Sequence, residues 1–225
     1  GRTALLRAID LGAYDIAEAL ISEGATSHLK DSAGRAALAL ARHWHETGTA
    51  AELRRRTGLN GPITRRTVHL ECGTCVELSL GDLTVRDGHT AILTALEPKY
   101  GINPPFEELL SRAMTEPDID HIVWWETAYT LQKRRDPAVW QAAAALRDRQ
   151  DPLERYFGAE LLRLIHLFDE SDNAPFDGQL VDLFLPWVAR ETDPRVTAVL
   201  ARGLGETADP RAREPLPELT RHRDG

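Results

Sequence analysis

Apolar residues in the first forty positions fall at helical spacing. Leu5, Ala8 and Ile9 recur at i, i+3 and i+4, one face of a helix. Ile16, Ala17, Leu20 and Ile21 give a similar apolar face after Gly12. Gly12 and Gly24 stand where each short helix must stop, because glycine takes the left-handed conformation of a helix end without steric cost. A second unit follows. The spacing predicts a helix from Ala37 to Glu46, stopped near Gly48, and another from Ala50 to Arg56, ending at Gly58. None of these helices is long enough to hold alone, so each pair must stack on a neighbour.

The second half has a different beat. Asp136-Pro137, Asp151-Pro152, Asp193-Pro194 and Asp209-Pro210 punctuate it, with Glu116-Pro117 as a near match. Asp-Pro suits a helix start, with Asp as the capping acceptor and Pro at the first helical position. The pairs predicted are 119–133 with 138–149, 152–168 with 178–190, and 194–204 with 210–221. Leu153, Phe157, Leu161, Leu164, Ile165 and Phe168 form an apolar stripe on one helix. Pro186 should kink or interrupt its helix, and 169–177 reads as an inserted loop. Between the halves, Ala91–Leu96 and Phe106–Met114 read as helices, and Val76–Leu80 as a short strand or irregular chain.

The first 41 residues also repeat. Gly1 recurs as Gly34, Leu5 as Leu38 and Ala8 as Ala41, each a shift of 33 (34 − 1, 38 − 5, 41 − 8). With Gly12, Gly24-Ala25 and the turn Asp31–Gly34, this segment resembles the ankyrin repeat. It departs from that pattern at Ala4 and Ala37, where Pro is usual, and at Leu6 and Ala39, where His is usual. Residues 193–219 resemble the short HEAT repeat of phycobilisome lyases. The chain as a whole is similar to bacterial proteins with ankyrin and HEAT repeats. That resemblance implies an all-α fold: an α-solenoid of ankyrin repeats followed by HEAT-like helix pairs. The organisation expected is 1–58 ankyrin repeats (the end of a longer array), 59–116 a connector with two helices, and 117–225 HEAT-like repeats. With nothing stacked before it, the first helix would expose Leu5 and Ile9.

Composition narrows the function. The 225 residues are 42% hydrophobic and 28% charged, values of an ordinary globular chain. Lys30, Lys99 and Lys133 are the only lysines, so 24 of 27 basic residues are Arg (27 − 3), a bias expected of a GC-rich bacterial genome. No apolar run approaches the roughly 20 residues needed to span a bilayer. Gly1-Arg2-Thr3 shows no signal-peptide pattern, and a cytoplasmic protein is expected. The net charge of −8 disfavours general nucleic-acid binding. Locally, six arginines in 42–66 face only Glu46 and Glu52.

Candidate chemistry is sparse. Cys72-Gly-Thr-Cys75, with His69 nearby, lacks the second pair that structural zinc usually needs, and reads as two reduced cysteines. His43 and His45 lie on differing faces of a helix, a poor chelating geometry. The acidic stretch Asp169–Asp172 with Asp177 lacks the calcium-loop pattern and reads as a solvated loop or a basic-partner dock. No serine-hydrolase, zinc-protease, phosphate-loop or dinucleotide motif is present. No catalytic residue, cofactor or metal is therefore assigned. The repeat resemblance implies partner contacts at His28, Lys30 and Ser32 on one loop, and at Arg7, Asp10, Leu40 and His43 on inner helices. Arg54, Arg55, Arg56, Arg65 and Arg66 flank the Gly58–Gly61 turn, either as a phosphate or acidic-partner patch or as a solvated helix end. Trp124 and Trp125 diverge by about 100° on a helix, so Trp125 is a candidate contact residue. The reading is a non-catalytic protein–protein interaction scaffold. The alternative is a HEAT-like nucleic-acid binder using the Arg-rich patches.

Overall fold

The computed structural model describes residues 3–31, 34–169 and 175–212. It divides into two compact units, Gly1–Thr127 and Ala128–Gly225. The described residues form eleven α-helices and one three-stranded antiparallel sheet. The chain is therefore mostly helical, and the all-α expectation is corrected by the sheet.

In the first unit α1 (Ala4–Asp10) starts at Thr3, whose hydroxyl accepts from the Leu6 N–H. It buries Leu5, Leu6, Ala8 and Ile9, so the expected exposure of Leu5 and Ile9 does not occur. They share a core with Leu40, Ala41 and Trp44 of α3 (Ala37–Thr47). α2 (Tyr14–Ser22) buries Tyr14, Ala17 and Ile21, while Ile16, assigned to the apolar face from spacing, is 52% exposed. The helix is phased by Tyr14, whose hydroxyl donates to the Glu126 carboxylate. Gly48, at φ +80°, separates α3 from α4 (Thr49–Thr57). That backbone is strained for any residue with a Cβ, and it sets the break where the spacing predicted it.

Residues 59–116, read from sequence as a connector with two helices, carry the sheet as well. β1 (Thr64–Leu70), β2 (Gly73–Leu80) and β3 (Leu83–Arg86) pair in order, with Leu70 opposite Gly73 and Leu80 opposite Leu83. Cys75, Leu78, Leu80 and Val85 turn into the helical core. α5 (His89–Leu96) and α6 (Phe106–Met114) stand where the apolar spacing placed them. Gly12 ties the α1–α2 turn to the end of β3. The Arg86 N–H donates to the Leu11 carbonyl at 2.8 Å, and a Cβ on Gly12 would lie 1.9 Å from the Arg86 carbonyl oxygen.

α7 (Ile122–Lys133) ends in the second unit, followed by α8 (Pro137–Ala145), α9 (Pro152–Leu167), α10 (Pro175–Val188) and α11 (Pro194–Glu206). Asp136, Asp151 and Asp193 each accept hydrogen bonds from N–H groups in the first turn of the following helix. Asp209 accepts from the Arg211 N–H at a short 3-10 turn, Pro210–Ala212. Residues 213–221 of the last predicted helix lie outside the described residues, as do 170–174 of the acidic loop. α10 continues through Pro186. Phe157, Leu161, Leu180, Phe184 and Leu200 are fully or almost fully buried and form the core here. Among the described residues no helix is long and apolar enough to cross a membrane.

Candidate functional site

Four of the sequence-predicted residues, Asp10, His43, Arg55 and Arg56, gather around one buried carboxylate in the first unit. Glu52 is completely buried on α4, held by Arg55 Nε at 2.6 Å and Arg56 Nε at 2.7 Å. Arg56 Nη2 reaches Asp10 Oδ1 at 2.7 Å, and Trp44 Nε1 donates to the same oxygen at 3.3 Å. His43 Nε2 lies 3.2 Å from Glu52 Oε1. The Arg56 guanidinium covers the Trp44 ring at 4.4 Å, and His89 stacks on that ring at 4.2 Å. The Arg55 guanidinium, with Arg56 and His43 beside it, outweighs burial and holds the Glu52 carboxyl down at about 2. Burial pushes the His89 imidazole down to about 3, so it is neutral at physiological pH. Asp10, His43, Arg55 and Arg56 thus serve an internal ion cluster.

The other predicted residues are dispersed. Arg7 and Lys30 are exposed, and His28 meets Tyr100 edge-on at 4.7 Å. Ser32 lies outside the described residues. Leu40 is fully buried because it packs into the core of α1 and α3, so it offers no surface. Arg66 pairs with Glu77 at 2.7 Å. Among the described residues Arg54 and Arg65 have no carboxylate partner. Trp125 is half-buried against the core, while Trp124 is buried and donates to the Glu116 carbonyl at 2.9 Å.

Two further clusters carry metal-type ligands. Asp87, Glu116 and His121 bring ligand atoms within 4.8 Å of one another. His121 Nδ1 accepts from the Val123 N–H at 3.3 Å, so the neutral ring carries its proton on Nε2, 3.0 Å from Asp87 Oδ1. The atom that would bind a cation therefore bears a hydrogen. Burial opposes charge on His121, but Asp87 outweighs it and raises the ring above its usual value. The cysteines differ: Cys72 is exposed in the β1–β2 turn, whereas Cys75 is buried, its thiol pushed up to about 11 by burial. Cys75 is held as a neutral thiol.

The second unit holds a cleft of about 410 Å³. Its apolar lining includes Val139, Trp140, Phe168 and Phe176, with Gln132 and Gln179 supplying amides. Trp140 and Phe176 pack with ring centroids 5.1 Å apart. Arg135, also in the lining, is the one non-glycine residue at positive φ (+50°) among the described residues. That conformation lets α7 stop and Asp136 cap α8. Non-glycine residues in the left-handed region persist only where the surroundings over-determine them, and they cluster at functional sites. Among the described residues the lining contains no histidine, cysteine, serine or threonine.

Sequence reasoning did not single out Trp140 or Phe176, and it read Phe168 as core. The available signal was the aromatics Trp140, Phe168 and Phe176 close in sequence to Asp136, Asp169 and Asp177. Comparisons of the chain with protein-family models, with curated proteins and with solved structures find no match.

Proposed function

We propose that this chain is a non-catalytic protein-interaction scaffold, built from ankyrin-like and HEAT-like helix pairs, that anchors a partner's apolar side chain in the second-unit cleft. The observation that carries this reading is the lining: aromatic walls, amides beside them, and among the described residues no hydroxyl of serine or threonine, no thiol and no imidazole. Protein hot spots bury an anchor in such a desolvated concavity. A catalytic site needs a base or nucleophile within reach of substrate. Among the described residues the carboxylates in the lining are Asp136, which caps α8, and Asp169. Support for the repeat architecture comes from the recurring Asp-Pro caps of α8, α9 and α11 and from the glycine stops of α3 and α4.

The alternative, nucleic-acid binding by the arginines, has less support. Arg55, Arg56, Arg66 and Arg163 are already engaged by carboxylates. A phosphate would have to displace those partners.

The test is a pull-down from native lysate with the full chain, with Trp140→Ala and with the rim variant Gln179→Glu, each with and without nuclease. A stoichiometric protein that survives nuclease and is lost from the cleft variants supports the proposal. Retention by both cleft variants, or loss on nuclease treatment, overturns it.

A further inference from the structure

Among the described residues the outer edge of the sheet in the first unit is open. There β1 pairs with β2 and with no other described strand. Three hydrogen bonds fix which of its backbone groups face outward. The Thr74 N–H donates to the Asp120 carbonyl at 2.7 Å. The Val76 N–H donates to Asp87 Oδ1 at 2.8 Å, and the Val76 carbonyl accepts from the Asp87 N–H at 3.0 Å. Thr74 and Val76 therefore turn away from β1. In an antiparallel ladder the residues opposite them turn away too. Those residues are His69 and Thr67, and Arg65 follows at the same period of two. Their N–H and C=O groups point out of the sheet, and among the described residues none of these groups is hydrogen-bonded. All three residues are exposed.

Charge selects what can pair there. The strand carries Arg65 and Arg66 and no acid. Glu77 on β2 answers Arg66, while Arg65 has no carboxylate partner among the described residues. A second copy pairing edge to edge would bring two arginine-bearing strands together, and like charges across a ladder are destabilising. Nucleic acid has no peptide groups to complete the ladder, and the strand offers no Phe, Tyr or Trp for bases to stack on. We infer that the β1 edge is a docking site for an extended acidic segment of a partner protein, which adds as a fourth strand to the backbone of Arg65, Thr67 and His69 and sets a carboxylate against Arg65. This surface is separate from the second-unit cleft, and the inference stands whether or not the cleft binds a partner.

The test uses the full chain and a short fluorescein-labelled peptide alternating glutamate and valine, read by anisotropy. Thr67→Pro removes one outward N–H while leaving every bond to β2 in place. Arg65→Glu reverses the selecting charge. The expected result is saturable binding that weakens at least about tenfold with either variant, or when alternate peptide nitrogens are methylated. Amide exchange should also slow at Thr67 and His69 on binding and stay unchanged at Val68 and Leu70. If Thr67→Pro does not fold, the methylated peptide and the exchange pattern decide. Absence of saturable binding, or binding indifferent to methylation, overturns the inference. So does a Thr67→Pro-sensitive dimer in sedimentation, or preferential binding of a single-stranded oligonucleotide over the peptide.

Discussion

Replacing Glu52 with glutamine removes one charge and keeps nearly the same shape, so it isolates the ion cluster of α4. The Glu52 carboxyl titrates at about 2 in the folded chain against an ordinary 4.5. At about 1.4 kcal/mol per tenfold, the difference corresponds to roughly 3 kcal/mol favouring the folded carboxylate. Arg55 is 60% exposed, so solvent screens part of its contribution. The expected loss in Glu52→Gln is therefore about 2–3 kcal/mol at neutral pH. Because the folded value is the lower one, this stability is complete above pH 4.5 and is lost as the pH falls through about 2. Roughly two fifths of it remains at pH 3. The assay is urea unfolding of both proteins at pH 7, 3 and 2, followed by hydrogen exchange in residues 37–57 so that the second unit does not contribute to the signal. The gap between the proteins should narrow steadily with acid. An equal gap at all three pH values, or one below about 1 kcal/mol at neutral pH, refutes the reasoning.

Other perturbations test other parts. Arg112 is buried with Glu97, at 2.7 Å, so Arg112→Met should cost about 3–5 kcal/mol in urea melts by stranding the carboxylate. Adding Glu97→Leu should recover most of that, and a double variant as weak as the single contradicts the account. Gly158→Ala would place a Cβ 2.6 Å from the Ala143 carbonyl oxygen, and thermal melts should show a loss of about 1–3 kcal/mol. Asp193→Ala removes the cap of α11, and stability should fall by about 1 kcal/mol, with faster exchange in the first turn of that helix. An aromatic disulfide reagent should titrate Cys72 in the native chain and both cysteines only in denaturant; rapid reaction of both in the native chain would contradict the burial of Cys75.

Features set by local backbone chemistry were legible in the sequence. Gly48 and Gly58 end α3 and α4, and Asp136, Asp151 and Asp193 start α8, α9 and α11, because a left-handed glycine and an Asp-Pro cap each act within a few residues. Features set by distant partners were not. Tyr14 displaces Ile16 from the core because its hydroxyl finds Glu126. β1 gave little alternation to read, since Thr64–Thr67 are exposed on both faces and the strand exists through its pairing with β2. The arginines of α4 looked like a free patch because spacing does not show that Glu52, on the same helix, is buried under Arg55 and Arg56, and because Asp10, which also holds Arg56, lies 46 residues earlier in the chain. The cleft brings residues of four helices together, and spacing within any one of them does not disclose a concavity.

The tie between Tyr14 and Glu126 has a consequence for synthesis. The core around Leu5 and Ile9 includes Ile122 and Val123, and Thr74 is held by Asp120. A growing chain therefore makes its first two helices long before the residues that seal them exist. Until residue 126 has left the ribosome, Tyr14 lacks its acceptor and the core that α1 joins lacks Ile122 and Val123. Helices that form early must wait for a closure more than a hundred residues downstream, so the first unit should complete its fold in one step, only after residue 126 has been made.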